Sequence, residues 1–415
     1  MKKLVALLLV LSLFACMFAG CGQKTEDNGQ NGEAAQVKVG VVLVGDENEG
    51  YTYAHIVGIE TAMAKLGLDK SKDAVWKYTI GENEACYDAI ADCIDQGCNI
   101  VFTNSYGHQS FAQQAAEEYP DVQIVAMTGD TARAAGLDNF HNAFTEIYEA
   151  RYVSGIVAGM KIAELEQNGQ LTEANYDDEG NVKVGYVGAY PYAEVVSGYT
   201  AFFLGLRSVF PKAVMEVQYT NSWFDIVAEN EAAVAMIADG CVIIGQHADS
   251  TGAPTACEAA LNAGTTVYSV GYNVDMLKVA PNAALTSPTN EWSVYYEYAL
   301  SCMLNGEEIA TNWAEGFDKG AVALTPLGTN AAEGTQEAVD AAIAQLKSGE
   351  LHVFDTKTFT VGGAEVTSAF ATDTDGDFAP DADEAIIDGY FHESYFQSAP
   401  AFSLRIDGIT ELLTD

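Results

Sequence analysis

From Val37 to Val44 the chain reads VKVGVVLV, a Val-rich run of the kind a parallel strand shows when both of its faces are covered. Apolar residues then recur at helical spacing (Ile56, Ile59, Met63, Leu66), which predicts a helix over about 53–66 that Gly67 stops. The alternation continues with a strand at 74–80, a helix at 85–96, a strand at 99–104, a helix at 111–118 and a strand at 122–127. A long helix, 146–166, opens a second run. There the pattern predicts strands at 183–187, 215–219, 242–245 and 266–270, separated by helices at 195–209, 227–239 and 255–262. Strand–helix units of this length predict parallel sheets with right-handed crossovers, and two runs of them predict two doubly wound α/β lobes joined by a hinge.

The C-terminal part follows another rhythm. A helix is expected over 331–348, then β-like alternation in HVFDTKTFTV, then an acidic turn from Asp373 to Asp377 with Asp381 and Glu384 beyond. That spacing partly matches a calcium loop, but Phe378 stands where the loop needs its glycine, so a solvated hairpin turn is the reading and no metal is expected. The expected divisions are 37–145 with 271–320 for the N-terminal lobe, 146–270 for the C-terminal lobe, and 321–415 for a helix and β-rich extension.

The N-terminus adds a destination. Lys2 and Lys3 precede an almost unbroken apolar stretch, Leu4 to Phe18, long enough for a signal segment and short for a stable span. Small residues Ala19 and Gly20 then precede Cys21, as in the lipobox of bacterial lipoproteins. The reading is therefore a signal peptide at 1–20, lipidation of Cys21, a flexible Gly-, Asn- and Gln-rich tether at 21–36, and residence at the outer face of the cell membrane. The formal net charge is −40, and removal of Lys2 and Lys3 takes it to −42. Such a field repels nucleic acid and disfavours phosphorylated ligands. Cys86, Cys93, Cys98, Cys241, Cys257 and Cys302 lack zinc spacing and read as small buried apolar residues, with room for one opportunistic disulfide.

In doubly wound sheets ligands sit beyond the carboxyl ends of the strands. Here those ends are aromatic and amide-rich: Tyr51 and Tyr53, Ser105 and Tyr106, Asn221, Trp223 and Asp225, Gln246 and Asp249, Tyr272 and Asn273, and Trp292 farther on. Rings that sandwich a flat heterocycle, with amides and a carboxylate at its edge, suit an uncharged planar ligand. The candidate binding residues are Tyr51, Tyr53, Tyr106, Asn221, Trp223, Asp249, Tyr272, Asn273 and Trp292. No phosphate loop, dinucleotide fingerprint, HExxH pair or nucleophile elbow occurs, so no catalytic residue or cofactor is assigned and any ATPase must be another chain. His247 beside Asp249 reads as a structural hydrogen-bonding pair, and Asp46, Glu47 and Glu49 as loop solvation.

The segments EGYTYAH, IYEARYVSGIVAG, VGYVGAYPYAEVVSGYTAFFLGLRSV, TNSWFD, GQHADS and GYNVDM make residues 37–320 resemble the basic membrane protein family, lipoproteins that bind purine bases or nucleosides for ABC transporters. The resemblance implies a type I periplasmic-binding-protein fold, permease and ATPase partners, and a purine in the cleft. In the nucleoside-binding branch a carboxylate is expected at Asn273 and a lysine near Asn290; this chain has neither, which favours a free base. A purine nucleoside-binding protein, or a sugar or signal module feeding a membrane sensor, is the alternative. A nucleoside-cleaving enzyme would need a carboxylate cluster near a ribose.

Overall fold

A computed structural model of the protein describes residues 36–412 apart from 376 and 378. The signal, lipidation and tether expectations fall, but for Gln36, outside the described residues. Strand β1 (Val39–Val42) leads to α1 (Gly50–Lys65), β2 (Ala74–Lys77), α2 (Glu84–Asp95), β3 (Ile100–Thr103), α3 (Gln109–Glu118), β4 (Gln123–Met127), the single turn α4 (Ala132–Ala135) and β5 (Phe140–Thr145). Helix α5 (Ile147–Gln167) enters the second half, β6 (Val182–Gly188), α6 (Ala193–Val209), β7 (Ala213–Tyr219), α7 (Ile226–Asp239), β8 (Ile243–His247), α8 (Gly252–Asn262), β9 (Tyr268–Val270) and β10 (Ala284–Thr286). The chain returns through β11 (Pro288–Asn290), α9 (Ser293–Asn305), β12 (Asn312–Glu315), β13 (Val322–Leu324) and α10 (Thr335–Ser348). Short strands close it: β14 (Phe370–Thr372), β15 (Ala382–Glu384), β16 (Ile386–Ile387), β17 (Tyr390–Phe391) and β18 (Ile409–Leu412).

Two six-stranded sheets result, β2-β1-β3-β4-β5-β12 and β18-β7-β6-β8-β9-β10, with every neighbouring pair parallel. Both lobes are thus doubly wound, as the alternation predicts. Strands β11 and β13 pair antiparallel between them, and Thr145 Oγ1 donates to Asn290 Oδ1 at 2.5 Å, tying two of the crossing segments together.

Three boundaries differ from expectation. Residues 284–286, assigned above to the N-terminal lobe, form β10 on the second sheet. Strand β18, at the end of the extension, pairs with the edge strand β7, and Glu411 accepts from the hydroxyls of Tyr199 and Tyr219 at 2.7 and 2.6 Å. The extension is therefore laced to the second lobe rather than appended to it. The HVFDTKTFTV stretch makes only isolated bridges, because Asp355 turns the chain by accepting from Lys357 N–H.

Strand β5 escaped the periodicity because FHNAFT carries polar side chains at buried positions. They serve as internal partners. His141 contacts Ala310 O and Gln123 Oε1, while Asn142 accepts from Ala132 N–H and donates to Ala126 O. The six cysteines are buried and unpaired, as read from composition. The acidic turn lies between the paired strands β14 and β15, and Asp373, Asp375 and Asp377 bring carboxylate oxygens within 4.8 Å of one another.

Candidate ligand-binding site

In each sheet the strand order reverses once, between β1 and β3 and between β6 and β8. At such switch points successive crossovers leave on opposite faces, so the strand ends part and leave a crevice. Residues at or just past the ends of these four strands border one cleft of about 460 Å³: Val44 and Gly45, Ser105 and Tyr106, Tyr190, and His247 with Asp249. Its size and mostly apolar lining are those of a small-molecule site. Backbone strain gathers there as well. Of seven described non-glycine residues at positive φ, four follow strands that end at the cleft: Thr79 (57°), Thr128 (64°), Asn221 (54°) and Asn273 (62°). A β-branched residue in the left-handed region is disfavoured, so Thr79 and Thr128, which both line the cleft, are held there by their surroundings.

Rings form the walls. In the first lobe, the Tyr51 hydroxyl donates to the carbonyl of Asn104, and the ring meets His55 edge-on at 4.6 Å. His55 stacks on Trp292 at 4.4 Å and contacts the Tyr296 hydroxyl through Nδ1 at 2.7 Å. In the second lobe Tyr190 stacks on Tyr192 at 5.0 Å and meets Trp223 edge-on at 5.2 Å. Tyr106 and Tyr192 approach across the gap with centroids 6.0 Å apart.

The floor is polar. Asp249 Oδ1 accepts from Asn273 Nδ2 at 2.9 Å, and Asn273 Oδ1 accepts from Asn290 Nδ2 at 2.9 Å. A continuous chain of hydrogen bonds thus runs from Thr145 at the lobe crossing to Asp249 in the cleft. Burial, with Glu49, Glu229 and Glu194 nearby, holds the Asp249 carboxyl well above the usual carboxylate range. Burial pushes Glu194 up to about 7 against the opposing charge of Arg151, and likewise Glu229 to about 7. Glu194 contacts His247 Nε2 at 3.2 Å, and burial together with Arg151 keeps that imidazole neutral. The Arg151 guanidinium lies 3.9 Å from the Tyr272 ring centroid and donates to Tyr186 and to Gln246 O.

Raised carboxyls hold protons in the fold that the unfolded chain, titrating near 4.5, gives up. The stability they confer is full below about pH 4.5 and is lost as the pH rises through 7. The calorimetric Tm is expected to fall from about pH 5 to about pH 7.5 at constant ionic strength, with most of the loss below pH 7. A flat or rising Tm over that window would contradict the assignment.

Of the candidate residues, Tyr51, Tyr106, Trp223, Asp249 and Tyr272 line the cleft. The structure does not bring the other four to its surface. Tyr53, two positions from Tyr51 on α1, is turned about 200° away and is 47% exposed. Trp292 is 1% exposed and reaches the site only through His55, which it supports from behind. Asn221 is exposed and serves a turn, its N–H donating to Ala189 O. Asn273 is buried behind Asp249 and orients it. Sequence reasoning missed Tyr190, Tyr192 and Glu194, although AYPYAE follows β6 and the same strand-end rule would have found them. Glu49, read as solvation, lines the cleft and caps α1, accepting from Tyr51 and Thr52 N–H at 2.9 and 3.0 Å. Asp225 likewise caps α7, and Gln246 donates to Ala248 O and Ser250 O, shaping the loop that presents Asp249.

Residues 36–355 match the family model described as ABC transporter substrate-binding protein PnrA-like. A purine-binding protein of Brucella abortus is 31% identical over 320 residues, which span 77% of this chain and 83% of the relative. A Haloferax volcanii protein, whose name assigns it glucose binding for an ABC transporter, is 30% identical over 341 residues, 81% of this chain and 78% of its own length. Among solved structures, a solute-binding protein of an ABC transporter system from Aeropyrum pernix superposes with a TM-score of 0.63 at 14% identity, covering 77% of this chain and 93% of that one. A transcriptional activator of the comK gene from Bacillus halodurans superposes at 0.60 with 19% identity, covering 76% and 99%. At such identities these two likenesses speak for the fold alone.

Proposed function

The chain belongs to the PnrA-like family of ABC transporter substrate-binding proteins, and from that premise we propose that it takes up a neutral purine base, of the adenine, guanine or hypoxanthine type, in the cleft between its lobes. The observation that carries this reading is the pairing of ring walls with a buried acid whose carboxyl is held well above the usual carboxylate range and so favours its protonated form: Tyr51 and Tyr106 on one lobe, Tyr190 and Trp223 on the other, and Asp249 at the edge. A protonated carboxyl offers a donor and an acceptor side by side. The unsubstituted N3/N9–H edge of a free purine presents the complementary pair, and N9 glycosylation abolishes it.

Asn273 supports base over nucleoside. Its amide nitrogen is given to Asp249 and its oxygen to Asn290, so the position where a ribose-binding carboxylate is expected is already committed inside the protein. Isothermal titration is expected to show at least one of the three bases binding tenfold or more tightly than its nucleoside, about 1.4 kcal/mol. A nucleoside that binds tenfold tighter than every base would overturn this preference. The glucose-binding name of one relative makes a sugar the second reading; a saturating response to glucose and none to any purine would establish it instead.

Capture by closure of the two lobes, delivery to a separate permease and ATPase, and anchoring through Cys21 complete the proposal. Cys21→Ala is expected to move the protein from the membrane to the soluble fraction on cell fractionation. Undiminished membrane retention would remove the anchor from this account.

A further inference from the structure

A second cleft, of about 390 Å³, lies where the start of α5 and the end of α10 meet the C-terminal extension. We propose that it binds an organic cation with separated ammonium groups, for which 1,4-diaminobutane is the probe. Three carboxylates border it, Glu146 and Glu149 from α5 and Glu393 from the extension. Glu393 is 6% exposed and accepts from the N–H groups of Ala401 and Phe402, while Glu149 accepts from Phe317 N–H at 2.8 Å. Among the described residues none of the three makes an ion pair with a lysine or arginine; Lys347 acts on Glu149 only through its field. A buried carboxylate without a counter-ion is costly, and a cationic guest would remove that cost.

The walls select the kind of cation. Tyr148 and Phe354 lie 5.7 Å apart, and Tyr390 is held between His352 and His392 at centroid distances of 3.7 and 3.9 Å. Both faces of Tyr390 are thereby covered, so the Tyr148 and Phe354 rings are the ones that attract an ammonium group. A single metal ion fits poorly. Two imidazoles stacked on opposite faces of one ring cannot both reach it, and among the described residues three ligand atoms of His, Cys, Asp or Glu lie within 4.8 Å of one another only at Asp373, Asp375 and Asp377. Ser394 also borders the cleft, with φ at 58° and a buried hydroxyl that has no hydrogen-bond partner, so strain and an unmet polar group coincide there. Tyr390, His392, Glu393 and Ser394 lie beyond the family match at 36–355, so this site does not depend on the purine reading.

Burial raises Glu146 to about 8, with Glu149, Glu315 and Asp318 adding to it, and raises Glu149 and Glu393 to about 7. Tyr148 and Glu315 beside Glu146, Asp318 near both glutamates, Lys347 near Glu149, and His352, His392, Tyr390 and Tyr395 along the cleft are the other titratable groups facing it. A guest ammonium favours the ionised carboxylates, so binding should release protons and strengthen from pH 6.5 to 8.5.

The test is calorimetric titration of the whole protein at pH 8 with 1,4-diaminobutane and with the isosteric 1,4-butanediol. One diamine per chain is expected, with no saturable heat from the diol. Glu146→Gln, which removes charge while keeping shape, should weaken the diamine at least tenfold. Proton resonances of the His352 and His392 rings should shift with the same saturation in the unaltered protein, which locates the site without any substitution. Absence of diamine binding, equal binding of the diol, an unchanged affinity in Glu146→Gln, or histidine signals that stay put would each overturn the proposal.

Discussion

Alanine at Gly205 is expected to cost the fold more than about 3 kcal/mol, beyond the usual range for an overpacked core. Helices α5 and α6 cross with their backbones in contact. A Cβ at Gly205 would lie 1.9 Å from the carbonyl oxygen of Tyr152, and one at Gly155 would lie 1.9 Å from that of Phe202. Backbone atoms cannot rotate aside as a flexible side chain can, so the helices themselves must separate. Separation would strip packing from Val153, Phe202 and Leu206, all buried at this crossing. The measurement is the urea midpoint of Gly205→Ala with the slope checked for change. An unaltered midpoint would show that the crossing is looser than its geometry. The segments YVSGIVAG and TAFFLGL thereby acquire a physical meaning, a close approach of two helices that only glycine permits.

Asp249→Ala is expected to weaken the purine by roughly fivefold to a hundredfold, since each of the two hydrogen bonds made by a neutral carboxyl contributes about 0.5–1.5 kcal/mol. Two losses combine. The ligand edge loses its donor–acceptor pair, and Asn273 loses the acceptor that orients its amide. Under the proposed reading, a base keeping N9–H should lose more affinity than its 9-methyl analogue, because only the former uses both halves of the carboxyl. Equal losses for the two would place Asp249 against another edge of the ligand. Titration of the variant with both ligands distinguishes these results, and an unchanged Tm would show that the loss belongs to the site. No affinity change for either ligand would remove Asp249 from the binding role altogether.

How far the candidate site was legible depended on the element that carries each residue. Tyr106, Trp223, Asp249 and Tyr272 follow strands directly, where direction is set by the sheet, and all four border the cleft. Tyr51 and Tyr53 sit on the first turn of a helix, where two positions mean opposite sides, and the strand-end rule cannot choose between them. Trp292 precedes α9 in the chain, yet its burial is decided by His55 and Phe144, which are remote in sequence. Asn273 and Asn290 look like two unrelated amides until the fold brings them together and fills both with internal hydrogen bonds.

By itself the sequence determined the alternation of Val-rich strands with amphipathic helices, hence two parallel sheets, and the aromatic character of their carboxyl ends. Those properties are local, because burial on one or both faces leaves its period in the residues of a single element. Only the tertiary structure decided that 284–286 joins the second sheet, that β18 returns to pair with β7, that polar β5 is a buried strand, and that Glu194, His247 and Arg151 meet beneath the cleft. Each of these depends on partners tens to hundreds of residues away. The free energy of such a contact comes from desolvation and hydrogen bonding by both partners at once, and neither segment carries a period that records the other.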